Sequence, residues 1–222
     1  MRTLYHIWLS PFCRKVRFYM AEKSLPFELK VEKIWERRTE FFTLNPAGEV
    51  PVLVDQDGKA IVDANAICEY LEETYASPNL LGHDPHARAE TRRLIAWFDG
   101  KFNREVSAYL VDEKMMKRFV GLGEPNSHAI RAGKANIGHH LDYISYLIER
   151  RNWLAGDQFT LADIAAAAHL SCIDYLGDVP WDNHPVAKQW YMRIKSRPAF
   201  RGLLADHIPG VPPPKHYAQL DF

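Results

Sequence analysis

The chain has 222 residues, 47% hydrophobic and 25% charged, enough for one or two domains with a sizeable core. Lys+Arg and Asp+Glu both total 28, and this zero balance argues against duplex nucleic acid, whose partners carry a basic excess. No apolar run reaches the ~18 residues of a membrane span, and three widely spaced cysteines make no disulfide framework, so a reducing cytoplasm is the expected compartment.

Residues 3–8 alternate as a first strand, with Leu4, His6 and Trp8 on one face. Ser10 is a good N-cap and Pro11 a good first residue for the helix that follows. Phe12, Cys13, Val16, Tyr19 and Met20 form its apolar stripe, which assigns Arg14, Lys15 and Arg17 to its solvated side or margins. Pro26 breaks the chain and residues 27–31 return as a strand. So short a strand–helix–strand unit implies a parallel pair with a crossover. Residues 32–44 show no regular period, and Trp35 stands there among Lys33, Glu36, Arg37 and Arg38.

Asn45-Pro46-Ala47-Gly48 is turn chemistry. Pro51 cannot donate to a ladder, so it leads a strand or sits on an edge, and the Val50–Pro51 bond is a candidate for cis. Asp57-Gly58 turns a hairpin into residues 59–62. Asp63 then caps a helix that carries Ile67, Tyr70, Leu71, Thr74 and Tyr75 on one side. Residues 77–85 are a linker between a first domain, 1–76, and a helical one, 86–206. In the second, Leu94, Trp97, Phe98, Phe102, Val106 and Tyr109 give one stripe, and Ile137, Leu141, Ile144 and Ile148 another. Thr160-Leu161-Ala162-Asp163 is a capping box opening an alanine-rich helix apolar enough to be buried. Residues 185–196 form a further helix.

The tail, 207–222, has no helical or strand period. Pro212-Pro213-Pro214 stiffens it toward polyproline II, so docking orders it at little entropic cost. Two readings stand: a tail lying on its own domain, or a recognition segment.

Turn, proline-led strand, hairpin and capped helix are the second half of a thioredoxin-like domain. With Ser10-Pro11-Phe12-Cys13-Arg14-Lys15-Val16-Arg17 upstream, the chain resembles the glutathione transferase superfamily over nearly its whole length. The fold implied is an α/β thioredoxin-like domain followed by an all-α domain. The resemblance also implies a glutathione site built from Ser10, Val50, Pro51, Asp63 and Ala64. In the family an acid–serine pair holds the γ-glutamyl end, and here it is Asp63-Ala64, with the hydroxyl missing. The Trp35 segment and the closing Pro-Pro-Pro-Lys-His-Tyr-Ala-Gln-Leu-Asp-Phe are similar to a division-protein branch of the superfamily. That branch implies a non-enzymatic, cytoplasmic homodimer at midcell that binds FtsZ filaments, promotes their curvature or bundling, and supports constriction. Its implied contact residues are Trp35, Arg37, Arg38, Pro213, Pro214, Lys215, His216, Tyr217, Leu220 and Asp221. No cofactor is implied on that reading. The alternative is an active glutathione S-transferase or glutathione-dependent thiol reductase using Ser10.

Cys13, Cys68 and Cys172 lie on helix faces and are assigned to core. His139 and His140 point apart on a helix, and no metal-ligand spacing is present.

Overall fold

The computed structural model describes residues 1–222. Strands β1 (Arg2–His6), β2 (Phe27–Val31), β3 (Val52–Val54) and β4 (Ala60–Val62) form one sheet in the order β2-β1-β3-β4. β1 and β2 are parallel, as the short crossover requires, and β3 and β4 are antiparallel to their neighbours. β1 stops at His6, two residues before the apolar alternation ends, because Ser10 N–H closes a turn onto Ile7 C=O.

Helix α1 (Pro11–Glu22) begins where the sequence signals it, with Ser10 Oγ accepting from Cys13 N–H at 3.2 Å. The irregular segment holds a single 3-10 turn (Ile34–Glu36) and a six-residue helix α2 (Thr39–Leu44), each too short to leave a period. Helix α3 (Ala64–Thr74) is capped by Asp63, whose Oδ1 accepts from Asn65 N–H at 2.7 Å and Ala66 N–H at 3.0 Å.

The second domain starts with α4 (Pro85–Ala96), which continues unbroken through π-type turns (Trp97–Met116) into α5 (Lys117–Val120). The wider turns change the expected stripe. Buried positions fall at Phe98, Phe102, Val106, Leu110 and Met115, about every fourth residue, and Tyr109 rotates outward to 40% exposure. Helix α6 (Ser127–Ile148) packs closely on this segment at Gly133, where a Cβ would sit 2.9 Å from Leu110 Cγ. Helix α7 (Leu161–Tyr175) is buried at every position and carries the capping box. Helices α8 (Pro185–Lys195) and α9 (Arg201–Leu204) and the tail complete the domain.

The expectation for α1 needs correction. Arg14, Lys15 and Arg17 are all buried rather than solvated. Arg14 donates to Asp206 Oδ2 (3.0 Å), Ser171 Oγ (3.0 Å) and Tyr217 Oη (2.9 Å). Arg17 reaches both oxygens of Asp206, at 2.8 and 2.7 Å. Lys15 pairs with Asp99 and donates to Asn65 Oδ1 at 2.9 Å. Helix α1 packs on α3 of its own domain and on α7 of the helical domain, and each cation meets its carboxylate partner across the domain seam.

Three histidines are held neutral inside this structure. Burial, reinforced by Arg17, lowers His6 to about 4, and burial also lowers His140 and His169. The unfolded chain takes protons on these rings near 6.5, where the native state refuses them. Stability is therefore full above pH 6.5 and is lost as pH falls toward 4. His6 alone should remove on the order of 2 kcal/mol by pH 5. Thermal denaturation between pH 7 and 5 should show a falling Tm; a flat profile would refute the assignment.

Candidate functional site

A cavity between the domains adjoins a second one within the thioredoxin-like domain. The first, about 320 Å³, is lined by Ser10, Phe12 and Ile34 on one side and by Asn103, Ser107 and Met116 on the other. The second, about 220 Å³, is lined by Asn45, Pro51, Asp63 and Ala64, and Glu49 and Val50 border both. The structure thus brings together all five residues of the expected glutathione site. The Val50–Pro51 bond is cis. Asp63 is held at φ +75°, a region that costs an L residue about 1–3 kcal/mol.

What these residues can do is limited. Ser10 is almost buried, and its oxygen is already accepting from the α1 backbone. The Ala64 methyl lies on the cavity wall where a hydroxyl would donate. No lysine or arginine lines either cavity, whereas Glu49, Asp63 and Asp112 do. Glutathione has two carboxylates to neutralise, and the cations that follow Ser10 on α1, Arg14, Lys15 and Arg17, are committed to the domain seam. The residues present do not fit that ligand. The missing cation is the part the sequence hid, because those three charges look available until their partners are seen.

Thiol chemistry is equally disfavoured. Cys13, Cys68 and Cys172 are fully buried, and burial pushes their thiols up to about 11, 12 and 12. A thiol so placed stays protonated and out of reach. The native protein should show no reaction with Ellman's reagent at pH 8 and three equivalents once unfolded; fast reaction of one native thiol would contradict this.

A second surface lies on the other side of the Ser10 loop. The Trp35 ring stacks on Phe119 with centroids 5.8 Å apart and planes 7° apart, bridging the two domains. The pair borders an apolar groove of about 370 Å³ shared with Trp8, Met115, Ile208 and Pro209. Arg37 is exposed beside it, with φ +49° and its guanidinium 5.3 Å from the Phe42 ring. Arg38 is not a free cation: it forms a two-pronged pair with the buried Glu32.

The tail is docked on its own domain. Ile208 and Pro209 form a wall of the Trp35 groove, and residues 210–214 continue across Met115 and Arg118. Trp35 and the tail, far apart in sequence, therefore make one continuous surface. Tyr217, expected at the contact face, is fully buried; its hydroxyl donates to Leu203 C=O at 2.9 Å and accepts from Arg14. His216 is half-buried against Asp174, 3.0 Å away. Pro213 and Pro214 are half-buried, and Lys215, Leu220 and Asp221 are exposed. The tail's aromatic anchors hold it down, and its exposed residues are what remain to meet a partner.

This cleft, on a thioredoxin-like domain joined to a helical one, defines a glutathione-transferase-type protein. Residues 9–74 match the family of the glutathione S-transferase N-terminal domain and residues 123–198 that of the C-terminal domain, and the chain belongs to the glutathione transferase superfamily. Within it, the chain is 51% identical to FtsZ-localized protein A of Caulobacter vibrioides, covering 100% of this chain and 98% of that one. The solved structure of FzlA from C. crescentus superposes with a TM-score of 0.96 at 51% identity, covering 100% and 99%. A protein from Rhodospirillum rubrum F11 described as a glutathione S-transferase gives a TM-score of 0.98 at 59% identity, with both chains fully covered.

Proposed function

We propose that this chain is a glutathione-transferase-fold protein of the division machinery that binds FtsZ polymer and does no glutathione chemistry. It acts as a cytoplasmic homodimer at midcell, promotes curvature or bundling of the filaments, and so supports constriction. A dimer offers two copies of the binding surface, and avidity lets it bend or link a polymer. The observation that carries this reading is the pairing of a cleft that lacks a cation, and has Ala64 in place of the serine beside Asp63, with the continuous Trp35–tail surface next to it. Full-length similarity to a protein named for FtsZ localisation supports it. Co-sedimentation with GTP-assembled FtsZ tests it: the purified chain should pellet with polymer and stay in solution without it. Failure to pellet across micromolar concentrations would end the proposal.

The alternative, a working transferase using Ser10, draws on the intact Ser10–Pro51–Asp63 frame. A ligand at 100 times its Kd adds about 2.7 kcal/mol of stability. Millimolar glutathione should leave the Tm of the native chain unchanged. Ala64→Ser restores one donor but no cation, so its shift should stay well below that value. A full-sized shift for the native chain would favour the transferase.

A further inference from the structure

The helical wall of the first cavity carries a run of polar groups that neither a glutathione site nor filament binding uses. Ser107 lies on the cavity floor, with its Oγ 2.8 Å from His169 Nδ1. His169 Nε2 lies 3.3 Å from Asp99 Oδ1, and Lys15 pairs with the other oxygen of the same carboxylate. Burial pushes the Asp99 carboxyl up, but Lys15 and His169 more than offset it and hold it below its usual range. Burial keeps His169 neutral.

These facts fix the protons. An ionised Asp99 only accepts, so His169 carries its hydrogen on Nε2. Nδ1 is then bare, and the Ser107 hydroxyl donates to it. A hydroxyl is thus paired with a neutral imidazole whose far nitrogen is oriented by a carboxylate, the logic of an activated serine with the two ring nitrogens exchanged. Asn103, one turn earlier on the same wall, also lines the cavity.

We propose that Ser107 is a nucleophile for acyl transfer, with His169 as its general base and Asp99 as the residue that positions the imidazole. Leu9, Phe12, Val111 and Met116 line the space above it, so the substrate class is a small uncharged ester with an apolar acyl group. As Ser107 Oγ bonds to the carbonyl carbon, its proton moves to His169 Nδ1. Asn103 Nδ2 donates to the developing oxyanion. The bond to the leaving alkoxide then breaks, and the alkoxide departs as an alcohol with the proton from His169. Water, deprotonated by the same nitrogen, releases the carboxylic acid and restores Ser107. No redox partner or metal is needed.

The test uses the full chain and a fluorophosphonate probe, which phosphonylates an activated serine with loss of fluoride and a proton. Peptide mass spectrometry should find the adduct on Ser107. Hydrolysis of p-nitrophenyl butyrate should exceed the buffer rate and fall at least tenfold in Ser107→Ala, with Tm checked to show that the variant folds. The probe rate should rise with pH as His169 loses its proton, and in Asp99→Asn that limb should move to lower pH. A folded native chain that takes no adduct, an adduct on Ser10 instead, or a Ser107→Ala chain that hydrolyses at the native rate would overturn the proposal. An unmoved limb would overturn the role of Asp99.

Discussion

Asp206→Ala is expected to lower stability by about 3–5 kcal/mol, the usual result of deleting one partner of a buried ion pair. At this chain length that is a fall in Tm of roughly 10 °C. Asp206 is 4% exposed and is the shared acceptor for Arg14 and Arg17, themselves almost fully buried. Removing it strands two guanidiniums in the seam. Arg14 keeps Ser171, Tyr217 and the Trp8 carbonyl, and Arg17 keeps only the Gly202 carbonyl at 3.2 Å and the Trp8 ring at 5.4 Å. Asp206→Asn retains an acceptor oxygen but no charge, so it should fall between the native chain and the alanine variant. A calorimetric scan decides. If Asp206→Ala melts within 2 °C of the native chain, the seam is not held by this carboxylate. The same change should loosen the tail, because Arg14 is what the Tyr217 hydroxyl accepts from.

A feature of this fold is legible in the sequence where its cause is local. The Ser10 cap, the Pro51 turn, the Asp63 cap and the Thr160 box are set by neighbours within a few residues, and each formed where its residues stood. The all-buried α7 was legible from composition alone. Arg14, Lys15 and Arg17 were misplaced because a helical period reports where apolar groups lie, not whether a charged face will meet counterions from another domain. Tyr109 was misplaced because the expected stripe assumed ordinary helical spacing, and the π-type turns drift away from it. Trp35 was legible as an unusual residue, but its partner Phe119 comes from the end of the long helix and carries no local signal. The run from Lys15 through Asp99 and His169 to Ser107 joins three helical segments, and nothing in any one of them announces it.

Trp35→Ala is expected to abolish most filament binding while leaving the fold nearly intact. A hot-spot indole contributes about 2 kcal/mol or more to an interface, a roughly 30-fold loss of affinity. The ring is only half-buried, and losing its stack on Phe119 should cost about 0.5–1.5 kcal/mol of stability. Because the two rings are parallel and in contact, Phe119 fixes the orientation in which the indole is offered. Phe119→Ala should therefore weaken binding in the same direction by less, and the double variant should lose less than the two single losses combined. Titration of each variant against assembled polymer, with Tm measured alongside, separates binding from folding. Deleting the chain after Gly210 cannot do so, since it also removes Tyr217 from the seam. Leu220→Ala can, because Leu220 is 39% exposed and lies clear of the ion pairs that hold the domains together. If Trp35→Ala pellets within twofold of the native chain and only its melting point falls, the indole is a structural rivet between domains, and the exposed tail must bind FtsZ without it.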